Sequence, residues 1–369
     1  MAKIYCWGLS KNGQAGPCKD GKVLIPQLIE YDHKLYGHVI DISAGGLFTA
    51  AITDRNYILS FGCGKYGRLA GSVNEEDSKN IIAYKFDDSN KNLSAISCGI
   101  WHACILTQCG SVYVWGYSKA CGSTNNMLTP QKVDLLNVVG IACGNNFTLC
   151  WTTCGKAYSW GVNNHGVLGH GNSSYKIEDS PKEITGFCDH FIVQMSAGTT
   201  HCGAVTKDGY LFVWGNNKYG ALGIVGETKD ILKPKLVDNV SNVKQISCNI
   251  GDNHGHSLLL TTSGRLFASG DGYKGKLGLG NFNSSSIFQN QSKINFVQIC
   301  SGGIHSAGVS DTGELFTWGC GSDGRLGHPE AAGHRYLYHS NIPKAVEAFS
   351  KKRVLKVSAS YYHTVALVQ

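Results

Sequence analysis

Short runs of alternating apolar and polar residues, separated by glycine turns, make up most of the chain. A typical stretch is His102–Thr107, which is followed by Gly110 and then by Val112–Gly116. Runs of roughly four to eight residues with this period predict half-buried strands, and a glycine between two runs predicts a tight hairpin. The pattern therefore predicts an all-β protein.

An aromatic residue followed by glycine recurs along the whole chain, with serine in the aromatic position once. The seven copies are Trp7-Gly8, Phe61-Gly62, Trp115-Gly116, Trp160-Gly161, Trp214-Gly215, Ser269-Gly270 and Trp318-Gly319. Most copies continue as G-x-x-x-x-G-x-L-G, and the copy at Trp115 is degenerate. Self-similarity at a fixed period is the signature of a repeat architecture.

A second motif, two small residues followed by G-x-x-H, also occurs seven times. Its copies begin at Ser43, Ser97, Ala142, Ser196, Ser247, Cys300 and Ser358. The next aromatic position follows after 18 residues, or after 22 in the copy that begins at Ser247. No aromatic-glycine pair follows Ser358, but counting from there to Gln369 and on from Met1 reaches Trp7 after 18 residues. The two chain ends are therefore in phase with the repeat.

Each unit of the repeat contains enough predicted strands for a four-stranded sheet. Seven such sheets arranged radially form a β-propeller, which leaves few strand edges exposed. We therefore expect residues 1–369 to form a single domain, a seven-bladed β-propeller of four-stranded blades. The phase of the repeat predicts that the N-terminal strand, residues 3–7, completes the C-terminal blade by pairing with His363–Val368.

Composition excludes several other classes of protein. Glycine accounts for 47 of 369 residues, yet 42% of the chain is hydrophobic, which fits neither collagen nor disorder. The sequence has no run long enough to cross a membrane and no signal peptide, so we expect a cytoplasmic or nuclear protein with 15 reduced cysteines. The formal charge of +7 is mild for this length.

The two phased motifs resemble the repeat of the regulator of chromosome condensation (RCC1) family over the whole chain. The resemblance implies a propeller that binds proteins, most notably small GTPases. The founding member of the family is a guanine-nucleotide exchange factor for the GTPase Ran. Plant ultraviolet-B receptors are similar propellers that use clustered tryptophans, but five of the seven tryptophans here occupy the repeat position, leaving only Trp101 and Trp151.

The recurring histidines and cysteines are predicted to be structural. The histidine position holds phenylalanine in two copies, at Phe48 and Phe147, so its expected role is to fill space and to form local hydrogen bonds. Cys98, Cys143 and Cys248 share their position with alanine and serine in the other copies, which indicates small buried residues. The sequence contains no nucleotide-binding, hydrolase or zinc-finger motif, so we predict no catalytic residues, no metal and no cofactor.

Specificity is expected in the positions that vary between repeats, just ahead of the histidine position. Turns at equivalent places in a propeller lie on the same face. Exposed tryptophan, tyrosine and asparagine there are typical of a protein-binding surface. The candidate partner-binding residues are Ile100, Trp101, Asn145, Asn146, Thr199, Asp252, Asn253, His254, Ile304, Tyr361 and Tyr362.

The resemblance leaves two functions open, nucleotide exchange and plain scaffolding. Two aspartates important in the founding member fall on Ile100 and Asn146, and its functional histidine falls near His254. Its inserted wedge would follow Trp115-Gly116, where the interval to Ala142 is only 27 residues. These differences favour a scaffold, whereas the full-length resemblance favours GTPase regulation.

Other expectations concern partners and local segments. The family's basic N-terminal tail, used on chromatin, has no counterpart ahead of Lys3, so we expect no nucleic-acid or chromatin partner. We also expect a monomer that binds protein and does not bind membranes. Residues 342–349, with Pro343 near the start, are expected to form a short helix followed by the basic residues 351–353. The aromatic and histidine-rich segment 334–339 is the largest candidate insertion.

Overall fold

The computed structural model describes residues 2–71, 75–88, 91–291, 294–332 and 338–369. Within these residues, 28 strands form seven antiparallel sheets of four strands each. The sheets are the blades of a closed propeller, which confirms the predicted fold class. First strands of neighbouring blades contact one another around the centre of the ring.

Six blades are formed by consecutive strands, in sequence order from the centre outward. Blades 1 to 3 comprise β3 Val39–Ala44, β4 Phe48–Thr53, β5 Tyr57–Gly62, β6 Ser78–Lys85, β7 Leu93–Cys98, β8 His102–Thr107, β9 Val112–Gly116, β10 Met127–Lys132, β11 Val138–Cys143, β12 Phe147–Thr152, β13 Ala157–Asn163 and β14 Lys176–Glu183. Blades 4 to 6 comprise β15 Ile192–Ala197, β16 His201–Thr206, β17 Leu211–Gly215, β18 Ile231–Leu236, β19 Val243–Cys248, β20 His256–Thr261, β21 Leu266–Gly270, β22 Ser285–Asn290, β23 Phe296–Ser301, β24 His305–Ser310, β25 Leu315–Cys320 and β26 His339–Ala345.

Blade 7 joins the two ends of the chain. Its strands are β27 Val354–Ala359, β28 His363–Val368, β1 Lys3–Leu9 and β2 Lys22–Leu28. Strand β1 pairs antiparallel with β28 from Lys3 opposite Val368 to Gly8 opposite His363. This register confirms the pairing predicted from the phase of the repeat.

In five of the seven blades, the recurring histidine contacts a hydroxyl group of the next blade. The Nε2 atom of His363 lies 2.8 Å from Oγ1 of Thr49 in blade 1. Four other histidines make the same contact at 2.8 to 3.0 Å, namely His102 with Thr148, His201 with Ser257, His256 with Ser306 and His305 with Thr364. The prediction that these histidines are structural is confirmed.

Phenylalanine replaces histidine wherever the next blade offers no hydroxyl. Phe48 precedes a blade with Ala103 at the hydroxyl position, and Phe147 precedes a blade with Cys202 there. Phe48 and Ala103 pack in one apolar cluster, and Phe147 and Cys202 pack in another. An unpaired buried imidazole nitrogen is costly, so the side chain at this position matches the partner across the blade interface.

Four of the repeat tryptophans anchor their blades to the preceding blade. Trp7, Trp115, Trp214 and Trp318 are fully buried, and each donates an Nε1 hydrogen bond of 2.7 to 3.0 Å to a backbone carbonyl of the preceding blade. Trp160 follows the degenerate copy of the repeat, and its Nε1 has no partner among the described residues.

The glycine after each aromatic residue is required because the backbone of the adjacent strand lies very close to it. Gly116 has φ +111°, and a Cβ atom there would lie 2.7 Å from the Cα of His102. A side chain at this position would clash with the neighbouring strand and would also be strained. The glycine therefore allows the end of the third strand in a blade to lie close against the start of the second strand.

Short helices occupy the connections between strands. These are α1 His33–Tyr36, α2 Ser118–Cys121 and 3₁₀ turns at Lys65–Gly67, Tyr273–Gly275, Ser322–Gly324, Pro329–Ala332 and Glu347–Phe349. The predicted helix over 342–349 is wrong, because Ile342 and Pro343 belong to β26 and only a single 3₁₀ turn follows. In the described ranges, no helix is long and apolar enough to cross a membrane. Most of the aromatic segment 334–339, residues 334–337, lies outside the described residues.

Candidate functional site

The turns between the first and second strands of the blades form one face of the ring, which we call the loop face. It consists of residues 45–47, 99–101, 144–146, 198–200, 249–255, 302–304 and 360–362. Backbone hydrogen bonds link several of these turns directly, including Ile100 N to Gly144 O at 3.2 Å and Thr199 N to Asn249 O at 2.9 Å. Several neighbouring turns of the loop face are therefore tied to one another directly.

A cavity of about 320 Å³ opens at the centre of the loop face, and six of the seven blades contribute to it. We call it the central cavity. Its lining residues are Gly46, Leu47, Arg68, Ile100, Trp101, Asn145, Thr199, Gly251, Asn253, Tyr361 and Tyr362. Larger depressions of about 550 and 670 Å³ exist elsewhere, but each is formed by the loops of neighbouring blades only.

Seven of the eleven residues predicted from the sequence line this cavity. They are Ile100, Trp101, Asn145, Thr199, Asn253, Tyr361 and Tyr362. Four predicted residues, Asn146, Asp252, His254 and Ile304, lie on the loop face but do not line the cavity. The turns thus bring most of the candidate residues together at the axis of the ring.

Trp101 is held in place at the cavity wall by three neighbours. Its Nε1 donates a 3.0 Å hydrogen bond to Oδ1 of Asn145, one blade away. The guanidinium carbon of Arg68 lies 5.0 Å from the indole centroid, and the Tyr66 ring packs edge-on at 5.7 Å. Trp101 remains half-buried, so it presents a positioned aromatic surface to the cavity.

Tyr361 and Tyr362 form the wall contributed by blade 7. Their ring centroids are 4.0 Å apart, and the guanidinium of Arg325 lies 5.5 Å from the Tyr362 ring. Arg325 also donates a 2.9 Å hydrogen bond to the carbonyl of Tyr361. Burial raises the pKa of Tyr361, and neighbouring Tyr362 and Asp252 act in the same direction. The Tyr361 hydroxyl is therefore neutral at physiological pH.

Arg68 belongs to a set of three buried cations that occupy the same position in the G-x-x-x-x-G-x-L-G motif. Each cation donates to a backbone carbonyl two residues before a histidine position, which belongs to the next blade for Arg68 and Arg325 and to the same blade for Lys276. The three contacts are Arg68 to Ile100 O at 3.2 Å, Lys276 to His254 O at 2.7 Å and Arg325 to Tyr361 O at 2.9 Å. These cations therefore fix the conformation of the turns that carry the candidate residues.

The long turn of blade 5 is held by its own polar contacts. Oδ1 of Asp252 accepts a 3.1 Å hydrogen bond from the backbone nitrogen of His254. The His254 ring is exposed and packs edge-on against Tyr219, with 4.6 Å between ring centroids. His254 thus lies at the rim of the loop face, outside the cavity.

The other two predicted residues also have local roles. Nδ2 of Asn146 donates to Oδ1 of Asn145 at 3.3 Å, which helps to orient the amide that receives Trp101. The carbonyl of Ile304 accepts a 2.9 Å hydrogen bond from the backbone nitrogen of Cys320. Both residues support the face rather than the cavity wall.

Four residues that line the cavity were not among the predicted ones, namely Gly46, Leu47, Arg68 and Gly251. Arg68 lies outside the turns in which candidates were sought, although the repeat register shows that it shares its position with Lys276 and Arg325. Leu47 precedes Phe48 and was missed because the blade 1 turn was not among the candidates.

The recurring histidines are not available for acid–base chemistry in the cavity. His201, His256, His305 and His363 are fully buried, and burial lowers their pKa values, to about 4 for His201 and about 3 for His363. They are therefore neutral, and none lines the central cavity. Cys98, Cys143 and Cys248 are buried, as predicted. In the part of the chain that the structure describes, no group of three His, Cys, Asp or Glu side chains is placed to hold a metal ion.

Solved structures share this fold over the full length of the chain. The human protein WBSCR16 matches with a TM-score of 0.86 and 22% identity, covering 100% of this chain and 99% of that one. Prp20p of Saccharomyces cerevisiae, described with its binding to Gsp1p and histones, matches with a TM-score of 0.85 and 22% identity, covering 100% of this chain and 91% of that one.

Similar sequences occur in proteins of several kinds. The human E3 ubiquitin-protein ligase HERC2 is 31% identical over 76% of this chain and 6% of its own length. The ultraviolet-B receptor UVR8 of Arabidopsis thaliana is 30% identical over 89% of this chain and 62% of its own length. A bifunctional serine/threonine-protein kinase and NEDD4-like E3 ubiquitin-protein ligase of Dictyostelium discoideum is 31% identical over 89% of this chain and 18% of its own length. The chain thus spans less than two thirds of each of these relatives.

The family model for the RCC1-like domain matches residues 3–366, which include all seven blades. This match agrees with the repeat register, the blade closure and the repeated geometry of the anchors described above. The chain belongs to the RCC1-like domain family.

Proposed function

We propose that this propeller binds a protein partner through the loop face and that the partner is a small GTPase or a complex that regulates one. The observation that carries the proposal is the central cavity, in which turns from six blades place Trp101, Tyr361 and Tyr362 around one opening. Aromatic anchors in a partly buried pocket, surrounded by a polar rim, are typical of protein-binding hot spots.

The rigidity of the cavity supports this proposal. Trp101 is fixed by Asn145 and Arg68, and the turn at Tyr361 is fixed by Arg325. Side chains that are already ordered lose little conformational entropy when a partner binds. The loop face therefore has the properties of a preformed docking surface.

Family membership supports the choice of a GTPase. Prp20p, which has the same fold, binds the GTPase Gsp1p and also histones. The resemblance of the repeat to Ran regulators leads to the same class of partner. Relatives such as HERC2 carry a comparable region as a small part of a much longer chain, which suits a domain that recruits proteins.

Nucleotide exchange is the second candidate function, and His254 is the residue that favours it. Its position is near that of the functional histidine of the exchange factor, and its ring is exposed at the rim of the loop face. An exchange factor binds the nucleotide-free GTPase more tightly than the loaded one, which requires no covalent step. A scaffold unrelated to exchange would bind both states equally.

Affinity capture from native lysate tests the proposal. Tagged wild-type protein and the Trp101→Ala variant are incubated with lysate containing Mg²⁺ and GTP, or with lysate treated with EDTA, and bound proteins are identified by mass spectrometry. We expect wild type to capture a small GTPase or a subunit of its regulatory complex, and Trp101→Ala to lose it. The control variant is Tyr210→Ala, which removes an aromatic side chain that is 42% exposed on the opposite face. The absence of small GTPases among the captured proteins, or equal capture by Trp101→Ala, would contradict the proposal.

Release of a fluorescent GDP analogue from the captured GTPase distinguishes the two candidate functions. Exchange predicts preferential capture in EDTA and faster release in the presence of wild type, with the acceleration reduced by His254→Ala. Scaffolding predicts equal capture in both lysates and no acceleration.

A further inference from the structure

The outermost strand of each blade leaves one edge unpaired, and five of the seven outermost strands contain a proline. The register places these prolines at one common position, immediately before the residue that pairs with the position preceding the repeat aromatic. They are Pro26, Pro130, Pro181, Pro234 and Pro343. Natural sheets use proline and charged side chains, lysine above all, to prevent their edges from pairing with another chain.

Strand β22 in blade 5 lacks both forms of protection. Its six residues, Ser285–Asn290, include no charged side chain, and Phe288 occupies the proline position. Strand β6 also lacks proline, but it carries Lys79 and Lys85. All seven outermost strands lie within the described residues, and β22 is the only one of them with neither a proline nor a charge. No residue from 277 to 292 is charged.

The backbone groups of Phe288 and Asn290 point away from the blade. The backbone nitrogen of Gln291 donates a 2.8 Å hydrogen bond to the carbonyl of Leu266, at the start of β21. Because residues in an antiparallel strand alternate in direction, Gln289 also faces β21, whereas Phe288 and Asn290 face outward. The prolines of the other blades support this orientation, since proline has no N–H to give to a ladder. Two N–H and two C=O groups of β22 are therefore directed outward.

The preceding blade also leaves β22 less covered than other outermost strands. In blades 2, 4 and 6, a loop glycine of the preceding blade donates to the carbonyl two residues before the proline. These bonds, each of 2.9 Å, join Gly71 to Leu128, Gly171 to Leu232 and Gly280 to Asn341. The corresponding carbonyl in blade 5 is that of Ser286, and no described loop residue of blade 4 donates to it. We call the outward-facing backbone of Ser286, Phe288 and Asn290 the β22 edge.

A cavity of about 300 Å³ borders the β22 edge on the side of blade 4. Its lining residues are Gly223, Ile224, Val225, Lys235, Leu236, Val237, Asp238 and Asn239. Gly223 lies directly against β22, since a Cβ atom there would be 2.4 Å from the Phe288 ring. Val225 in the same wall is 71% exposed, more than any other large hydrophobic residue of the described chain. The cavity is therefore an apolar recess beside an unprotected strand.

We propose that the β22 edge binds an extended segment of a partner protein as a fifth strand of blade 5, and that an apolar side chain of this segment enters the cavity beside Val225. Backbone hydrogen bonds to an exposed strand supply affinity in this mode of recognition, and a pocket for an alternate side chain supplies specificity. The paired part of the segment is uncharged, because β22 offers no opposite charge to compensate a charged side chain for its lost water.

A second copy of this chain fits the β22 edge less well than a segment of another protein does. Pairing of two β22 edges would use the outward backbone of only three residues from each chain. Stable dimers usually bury about 1,200 Å² or more in total. A single extended segment can instead contact the strand edge and the neighbouring cavity together. The β22 edge contains no residue of the loop face, so this inference does not depend on the proposed function.

Asn290 provides a matched pair of test variants. Asn290→Pro removes one outward N–H group, and Asn290→Ala removes the same exposed side chain but keeps that group. A second variant, Phe288→Pro, gives β22 the residue that five other outermost strands already accommodate. Its control is Ile81→Pro, which places a proline at the equivalent position of β6.

The probe is a phage-displayed library of random dodecapeptides, selected on the full wild-type chain and then on Trp101→Ala, so that peptides specific for the loop face are discarded. We expect the enriched peptides to share an apolar residue within an uncharged stretch. Asn290→Pro and Phe288→Pro should each weaken binding of a synthetic peptide by about tenfold or more, whereas Asn290→Ala and Ile81→Pro should bind within about threefold of wild type.

Hydrogen exchange of the wild-type chain provides a readout that needs no variant. The bound peptide should slow amide exchange in the fragment that contains β22, because the N–H groups of Phe288 and Asn290 gain acceptors. Unchanged exchange in that fragment, or equal affinity of folded Asn290→Pro and Asn290→Ala, would overturn the inference.

The remaining outcomes distinguish this surface from the loop face and from self-association. Failure to enrich any peptide that binds Trp101→Ala would overturn strand addition at β22 and leave the proposed function of the loop face intact. Sedimentation of the free wild-type chain tests for a dimer. A dimer that Phe288→Pro dissociates would assign the β22 edge to a second copy and overturn the partner segment.

Discussion

His363 and Thr49, which lie 314 positions apart in the sequence, are joined by a 2.8 Å contact between Nε2 and Oγ1. Oγ1 of Thr49 donates its own hydrogen to the carbonyl of Gln14 at 2.7 Å, so Nε2 of His363 is the donor in this contact. His363 lies in blade 7, Thr49 lies in blade 1, and Gln14 lies in the connection between β1 and β2. One hydrogen-bonded chain therefore ties the last blade, the first blade and the N-terminal segment together.

The first prediction tests the matching of histidine with hydroxyl across this interface. His363→Phe alone places an apolar ring against the Thr49 hydroxyl and should destabilise the fold by about 2 kcal/mol. Adding Thr49→Ala recreates the combination found at Phe48 and Ala103. The double variant should therefore recover at least half of the loss.

Urea unfolding of wild type, both single variants and the double variant measures the coupling between the two positions. A coupling energy of about 1 kcal/mol or more is expected. A double variant whose destabilisation equals the sum of the two single variants would show that the two side chains do not act together.

The second prediction concerns acid. Burial holds the pKa of His201 at about 4 and that of His363 at about 3, below the reference value of 6.5. The unfolded chain therefore binds more protons than the folded chain between pH 6.5 and the folded values. The stabilisation is fully present above pH 6.5 and is lost as the pH falls, by about 1.4 kcal/mol per pH unit for each such histidine.

Urea unfolding at pH 7.0, 6.0 and 5.0 measures this slope. The double variant His363→Phe with Thr49→Ala has one buried histidine fewer, so its stability should fall less steeply. Identical slopes for the double variant and wild type would rule out His363 as a source of the acid sensitivity.

The third prediction tests the closure of the ring. Deletion of residues 1–8 removes β1 from the middle of blade 7 and with it the buried side chains of Ile4, Cys6 and Trp7. The loss of this apolar burial and the new strand edge should cost several kcal/mol and lower solubility. Differential scanning calorimetry compares the truncated and intact chains, and a melting temperature within about 2 °C of the intact value would refute the closure.

The fourth prediction concerns the buried thiols. Sγ of Cys143 lies 3.1 Å from Sγ of Cys104 in the neighbouring blade, and both residues are buried in one apolar cluster. Cys98→Ala and Cys143→Ala are small changes of volume and should each cost less than about 1.5 kcal/mol. Thermal denaturation and elemental analysis check this, and a stoichiometric amount of zinc in the wild-type protein would contradict a purely packing role.

Much of the fold is predictable because one blade geometry is repeated seven times. The segment Lys3–Leu9 is too short for its own sequence to show where it pairs. Its position in the repeat relative to Ser358 nevertheless predicts that it pairs with β28. The helix expected at 342–349 fails because pairing of β26 with β25 outweighs local propensity. The position of a segment within the repeat therefore predicts its structure better than its local sequence pattern does.

The candidate site is only partly predictable for a different reason. The repeat predicts that a residue such as Trp101 lies on the loop face. Whether that residue also lines the cavity depends on the conformation of its turn. The seven-residue turn of blade 5 places Asn253 at the cavity wall and His254 outside it, although the two are adjacent. Arg68 requires the structure, because its packing behind Trp101 links two distant segments of the chain.

The affinity of the purified GTPase partner for wild type, Trp101→Ala and Tyr210→Ala tests the central claim most directly. Truncation of a central aromatic anchor typically costs about 2 kcal/mol or more of binding energy. The account predicts that Trp101→Ala weakens binding at least tenfold by isothermal titration calorimetry while its melting temperature stays within about 2 °C of wild type. Tyr210→Ala, on the opposite face, should bind like wild type. Undiminished binding by Trp101→Ala, or an equal loss in Tyr210→Ala, would contradict the account.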